Sequence, residues 1–228
     1  MLNQTQLWER EYGSLRVIPS STRELPSKAL QLFSEILDFT EPRKILDAGC
    51  GIGRNAIYLA RKGAEVHAVD MSPTALRHLD RAALSAGVRK QIIVHQQALD
   101  IPFPFENNFF DLVLDSYVSC HFTDDQFKEG YRQQLHRVTK PGGFVFSSQF
   151  SVEDEYYAKI LEDNKDGGKL VTDPRNEITK RLYAGDEIKN FFRVEFEIPY
   201  FVKLEFDDEV QQTVYRRSIF AIVLRKPI

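Results

Sequence analysis

The chain predicts an α/β fold, a mostly parallel sheet with helices on both faces, and three observations carry that reading. First, strand-like and helix-like segments alternate along the chain: strands at 43–47, 65–69, 91–95, 109–115 and 143–149, helices at 54–62, 73–86 and 125–139. Such alternation implies parallel strands joined by crossover helices. Second, Gly49, Gly51 and Gly53 fall at every second position between an apolar run and a helical run, where a backbone must turn sharply and let a ligand come close. Third, Val194, Phe196 and Ile198 alternate with Glu195 and Glu197, and an apolar run covers Ser218–Leu224. Two late strands of this kind form a hairpin, so one strand near the C-terminal edge runs antiparallel to its neighbours.

The elements follow in order. Trp8 and Tyr12 lie one helical turn apart in a polar segment, and Ser20-Ser21-Thr22 reads as a turn. Pro26 with Leu30, Phe33, Ile36 and Leu37 has the spacing of an amphipathic helix. Ile45 and Leu46 suit a strand buried on both faces. From Asn55, the residues Ala56, Ile57, Leu59 and Ala60 keep helical spacing, and Gly63 suits the C-cap. The strand Glu65–Val69 stops at Asp70. Ser72-Pro73 starts the next helix, since proline is favoured at the first helical position, and Gly87 ends it. Residues 151–180 are polar and too long for an ordinary connection, a feature of functional loops. Asp186–Phe192 reads as a short helix. These assignments make residues 1–228 one domain: a helical cap (1–40), a binding core (41–150), an insertion or lid (151–185), and a helix with a strand hairpin (186–228).

Bulk properties narrow the function. An apolar content of 43% can bury a substantial core. A net charge of −3 with interspersed signs argues against nucleic acid as a partner; Arg216-Arg217 and Arg225-Lys226 are only short clusters. No apolar stretch approaches the ~18 residues of a membrane span, and the N-terminus lacks a signal-peptide pattern. Cys50 and Cys120 have no metal-ligand spacing, so no metal is expected. Two reduced thiols suit a cytoplasmic protein, monomeric or homodimeric.

Strand, glycine loop and helix together open a nucleotide-type binding unit, and Asp70 ends the next strand, where an acid meets a pair of ribose hydroxyls. The dinucleotide fingerprint G-x-G-x-x-G/A counted from Gly49 puts Arg54 where a small residue is needed. Counted from Gly51 it fits formally, ending at Ala56, but leaves Asp47 and Gly49 unexplained. A phosphate loop would need a Gly-Lys-Ser/Thr ending, which is absent.

Ile45 to Arg54, followed by Asp70, resembles the first two motifs of class I S-adenosylmethionine-dependent methyltransferases. Phe109–Leu114 with Asp115-Ser116-Tyr117 resembles the family's fourth strand, and Leu135–Gly143 the turn before its fifth. The resemblance covers residues 40–150 strongly and implies a Rossmann-like, seven-stranded sheet. It implies S-adenosyl-L-methionine as cofactor, S-adenosyl-L-homocysteine as product, and site residues matched one by one. Asp47 orders the glycine loop, and the backbones of Gly49, Cys50 and Gly51 line the methionine part. Arg54 either pairs with the cofactor's carboxylate or is a solvated first-turn arginine. Asp70 takes the ribose, with Met71 against adenine. Gln97 with Ala98 and Leu99 recognises the adenine edge; the family usually has an acid at position 97, and Asp100 competes if the register slips. The Asp115 backbone contacts the cofactor's amino group, and Ser116 to His121 line the path to the acceptor.

The base and amide N-methyltransferases of the family carry [DN]-P-P-[YF] after the fourth strand. Both prolines are missing here, which counts against such acceptors. A base is needed only if the acceptor must lose a proton early; His121 and Tyr117 are candidates, with Trp8, Tyr12 and Tyr183 as substrate or gate residues. The expected activity is methyl transfer to a small molecule. The alternatives are a protein or RNA methyltransferase, or a non-catalytic cofactor-binding regulatory subunit.

Overall fold

The structure is a computed structural model that describes residues 2–35, 43–162, 169–210 and 212–228. The core alternates β1 (Lys44–Ala48), α4 (Arg54–Arg61), β2 (Glu65–Asp70), α5 (Pro73–Ser85), β3 (Ile92–Gln96), β4 (Phe110–Ser116), α6 (Asp125–Val138) and β5 (Thr139–Phe150). Before it come α1 (Gln4–Arg10), α2 (Pro19–Thr22) and α3 (Lys28–Ser34). After it come α7 (Glu155–Glu162), β6 (Leu170–Thr172), β7 (Thr179–Arg181), α8 (Gly185–Phe192), β8 (Glu197–Val210) and β9 (Thr213–Arg225). Seven strands form one sheet in the order β3-β2-β1-β4-β5-β9-β8. β1 to β5 are parallel, and β9 runs antiparallel to both β5 and β8. The strand order reverses between β1 and β4, and the crevice beyond their carboxyl ends is where an open α/β sheet binds ligands.

Most elements lie where the periodicity puts them, and the differences have identifiable causes. β5 begins at Thr139 and takes in Pro141-Gly142-Gly143, with a register shift opposite Phe110 and Leu112. Gly142 absorbs that irregularity at φ 75°. β8 starts at Glu197, three residues later than the alternation suggests, because α8 ends in a turn that leaves Val194 exposed while Phe196 is buried. Ser20–Thr22 belongs to the single helical turn of α2. Ile36 and Leu37, read as helical, lie outside the described residues, as does the Gly167-Gly168 pair of the insertion.

The insertion has a core of its own. α7 and the two-stranded β6–β7 sheet bury Tyr156, Tyr157, Val171 and Leu182 against Val210 of β8. The N-terminal segment is organised by one buried carboxylate. Glu11 accepts hydrogen bonds from the Val17 N–H (2.7 Å), the Ile18 N–H (2.9 Å) and the Ser21 hydroxyl (2.7 Å). It folds residues 11–21 over the carboxyl ends of the sheet. Among the described residues no helix is long and apolar enough to cross a membrane.

Candidate active site

A cavity of about 620 Å³ opens beyond β1, β2 and β4. The glycine loop forms its floor. Gly49, Gly51 and Gly53 have φ of 69°, 54° and 83°, the left-handed region that a side chain disfavours. Space is as restrictive as conformation: a Cβ on Gly49 would lie 2.5 Å from Val118 Cγ2, and one on Gly51 2.7 Å from the Tyr12 hydroxyl oxygen.

Asp70, at the end of β2, is fixed by that loop. Its carboxylate accepts the Gly51 N–H at 2.8 Å and the Ser72 N–H at 2.9 Å. Ser72 in turn caps α5 by accepting the Ala75 N–H at 3.1 Å. Burial pushes the Asp70 carboxyl up to about 6, against the pull of those N–H groups. Met71 lies beside it on the wall. Asp47 sits beneath the loop, off the cavity wall, accepting the Ala56 N–H. Its Oδ2 has no hydrogen-bond partner among the described residues, and burial followed by the charge of Asp70 pushes it up to about 7. Cys50 and Arg54 are on the wall, and burial lowers the Arg54 pKa.

At the end of β3, the Gln97 side chain donates its NH₂ to the Pro102 carbonyl at 3.0 Å. Its own carbonyl oxygen stays available as an acceptor. Leu99 and Asp100 both reach the wall with Gln97, whereas Ala98 does not. After β4, Ser116 and Tyr117 line the cavity. Tyr117 is left-handed (φ 63°) and stacks on Phe150 with ring centroids 4.7 Å apart.

The side chains of Asp115 and Tyr183 also lie off the cavity wall. Asp115 is behind the wall, where its carboxylate accepts from the Ser119 N–H (2.9 Å), the hydroxyls of Ser119 (2.6 Å) and Ser147 (2.7 Å), and Gln149 Nε2 (2.9 Å). It ties β4 to β5 and to the turn that follows. Tyr183, expected at a gate, is fully buried in the core, with its backbone bonded to Phe150 and Val152.

The far end of the cavity is aromatic. Trp8 stacks on Tyr12 at 5.6 Å and meets the His121 ring edge-on at 4.9 Å. His121 Nδ1 lies 3.2 Å from the Thr179 carbonyl. A carbonyl only accepts, so Nδ1 carries the proton and Nε2 is left with a lone pair. Burial, reinforced by the nearby Lys180 charge, pushes His121 down to about 3. Burial raises the Tyr117 phenol.

Several wall residues have no signature in the sequence. Phe150 ends β5, and Tyr157, Lys180, Phe206, Asp208 and Arg217 come from the insertion and the late strands. Arg217, legible only as half of a basic pair, is buried and bound to Asp154 at 2.8 Å. Arg23 grips Asp208 through two contacts of 2.7 and 2.9 Å, which closes the N-terminal segment against β8. Among the described residues no His/Cys/Asp/Glu group is arranged to hold a metal.

Residues 45–143 match the model of a family described as a methyltransferase domain. Over that stretch the chain is similar to a methyltransferase domain. It is 33% identical over 61% of its length to a chloroplastic tocopherol O-methyltransferase of Arabidopsis thaliana, covering 44% of that protein. It is 29% identical over 68% of its length to a 2-heptyl-1-hydroxyquinolin-4(1H)-one methyltransferase of Mycobacteroides abscessus, covering 66% of it. The chain thus spans about half to two thirds of these curated relatives. The fold superposes on a methyltransferase structure from Methanosarcina mazei with a TM-score of 0.72, at 23% identity over 86% of this chain and 97% of the other.

Proposed function

We propose that the protein transfers the methyl group of S-adenosylmethionine to a small-molecule acceptor. The observation that carries this reading is one cavity lined by the glycine loop, Asp70 and a group of aromatic side chains. The donor set suits the cofactor part by part. Asp70, held by Gly51 and Ser72, keeps oxygen lone pairs for ribose hydroxyls. The free Gln97 carbonyl suits the adenine amine, with Met71 and Leu99 flanking the ring. Asp47 orders the loop from below, the backbones of Gly49, Cys50 and Gly51 face the methionine part, and Arg54 suits its carboxylate.

Once bound, the cofactor supplies a methyl group already activated on positively charged sulfur. The protein's part is to hold the acceptor in line and exclude water, and alignment of this kind can be worth ~7–11 kcal/mol. Tyr117 is a poor base because burial keeps its phenol protonated. His121 is neutral but only weakly basic. The part of these two side chains is therefore positioning.

A small acceptor is supported by the lining. Trp8, Tyr117, Phe150 and Tyr157 line the chamber, and two of its cations, Arg23 and Arg217, are neutralised by Asp208 and Asp154. The curated relatives reported above are also named for small acceptors. Calorimetry with S-adenosylmethionine, S-adenosylhomocysteine and NAD tests the reading. Binding of the first two without NAD is expected; NAD binding without S-adenosylhomocysteine overturns it.

A further inference from the structure

We infer that Lys180 is the acceptor-recognition cation of this site, and that the acceptor is a small aromatic compound held through an ionised oxygen. The inference rests on the methyltransferase reading above and names its substrate class.

Lys180 lies on β7 and is only 2% exposed. Lys180 lines the cavity, and its buried Nζ has no hydrogen-bond partner among the described residues. The ammonium lies over the Tyr157 ring, 4.8 Å from the centroid. The acids within electrostatic reach are already engaged. Asp173 accepts from the Tyr156 hydroxyl at 2.8 Å and the Arg175 N–H at 3.0 Å, and Glu11 collects the three donors of the N-terminal segment. Arg217 in the same wall has its carboxylate, so the contrast is local: one cation is paired and one is not.

An ammonium buried without a partner is costly, and burial accordingly lowers the Lys180 pKa. An anionic oxygen entering the chamber removes that cost. The neighbours cannot substitute for it. His121 gives its only proton to Thr179, and the Cys120 thiol is pushed up by burial and donates toward the Tyr117 carbonyl. Trp8, Phe150 and Tyr157 supply flat faces for the acceptor ring. Where Lys180 is a neutral amine before binding, the acceptor's O–H bond breaks with its electron pair left on oxygen, and the proton goes to Nζ. Where it is already charged, the acceptor enters ionised. Both routes end in the same ammonium–oxyanion pair, with the oxygen electron-rich and ready to be methylated. This supplies the activation that neither His121 nor Tyr117 can provide.

The test uses the full chain saturated with S-adenosylhomocysteine and 4-nitrophenol as probe, whose phenolate absorbs visible light. In the wild type the bound probe should ionise about tenfold more readily than in water, a shift of about one pKa unit. Lys180→Arg should keep most of this shift, and Lys180→Met and Lys180→Gln should abolish it. A wild type that does not bind the probe, or that shows the same ionisation as the Met and Gln variants, overturns the inference. S-adenosylhomocysteine calorimetry on each protein reports folding and separates the two readings. Loss of cofactor binding in the wild type sinks the methyltransferase reading itself, whereas intact binding with no Lys180 effect sinks only this inference.

Discussion

The Glu9 carboxylate accepts a hydrogen bond from the Ser72 hydroxyl, which joins α1 to the residue that caps α5. The same carboxylate also accepts from the N–H and hydroxyl of Thr74, an anion placed on a helix N-terminus. Asp70 lies two residues before Ser72, so the N-terminal segment is latched directly above the proposed ribose site.

Glu9→Ala should therefore weaken S-adenosylhomocysteine binding about fivefold, about 1 kcal/mol and the scale of one ordinary hydrogen bond, with little change in melting temperature. Burial is the largest single influence and opposes the Glu9 charge, but the Ser72 and Thr74 bonds and the Arg77 charge together outweigh it and hold the carboxyl below its ordinary value. The latch is thus complete above the unfolded glutamate value of about 4.3 and is lost as pH falls through the lower folded one. Hydrogen exchange of residues 4–15 reads it directly; protection that is unchanged in Glu9→Ala would dismiss the latch.

Asp70→Ala should weaken cofactor binding by ~2–4 kcal/mol, two charge-assisted bonds with partial compensation by water. Circular dichroism should show an intact fold. The raised Asp70 pKa of about 6 adds a pH signature. Its neutral form favours the empty fold, a contribution lost as pH rises through about 6. Ribose hydroxyls prefer the ionised form, so affinity for S-adenosylhomocysteine should climb between about pH 5 and 7, and Asp70→Asn should flatten that climb. A climb equally steep in Asp70→Asn would assign it to another group.

Gly51→Ala should lower stability by about 1–2 kcal/mol from the left-handed backbone alone, which is a melting shift of about 2–4 °C per kcal/mol at this size. The new methyl would also press on the Tyr12 hydroxyl. Adding Tyr12→Phe should recover part of the loss, and strict additivity in the double-mutant cycle would show that the two residues do not meet.

Asp154→Ala should cost about 3–5 kcal/mol in urea unfolding, because it strands the buried Arg217 guanidinium. Burial opposes the Arg217 charge, yet Asp154 more than compensates and raises its pKa. Replacing both partners, Asp154→Leu with Arg217→Met, should restore most of the stability. A single-variant cost below about 1 kcal/mol would mean the pair behaves like a surface ion pair.

What the sequence made legible was local. Positive φ at three alternate glycines, an acid closing the next strand and Ser72-Pro73 opening a helix are all decided within a few residues, and all are found in place. Strand position alone does not tell which way the Asp115 side chain points, and it turns into the core. Successive residues alternate faces, and Ser116 is the one that reaches the cavity. Tyr183, Lys180 and Arg217 carry no local mark at all, since their surroundings come from segments 30 to 60 residues away. The insertion looked like a polar loop because its few apolar residues are spread over α7, β6 and β7 and find their partner, Val210, on another strand.

The last strand pair sets how such a pocket can diversify. β8 runs for 14 residues, and its inward positions alternate strictly through Leu204, Phe206 and Asp208, the latter two reaching the chamber. Backbone on both flanks of Phe206 is pinned by its ladder to β9, so an exchange there recuts the cavity without moving the scaffold. A lineage built on this frame needs no insertion or deletion to change its acceptor: single-codon steps along one strand suffice, and each intermediate remains a folded protein.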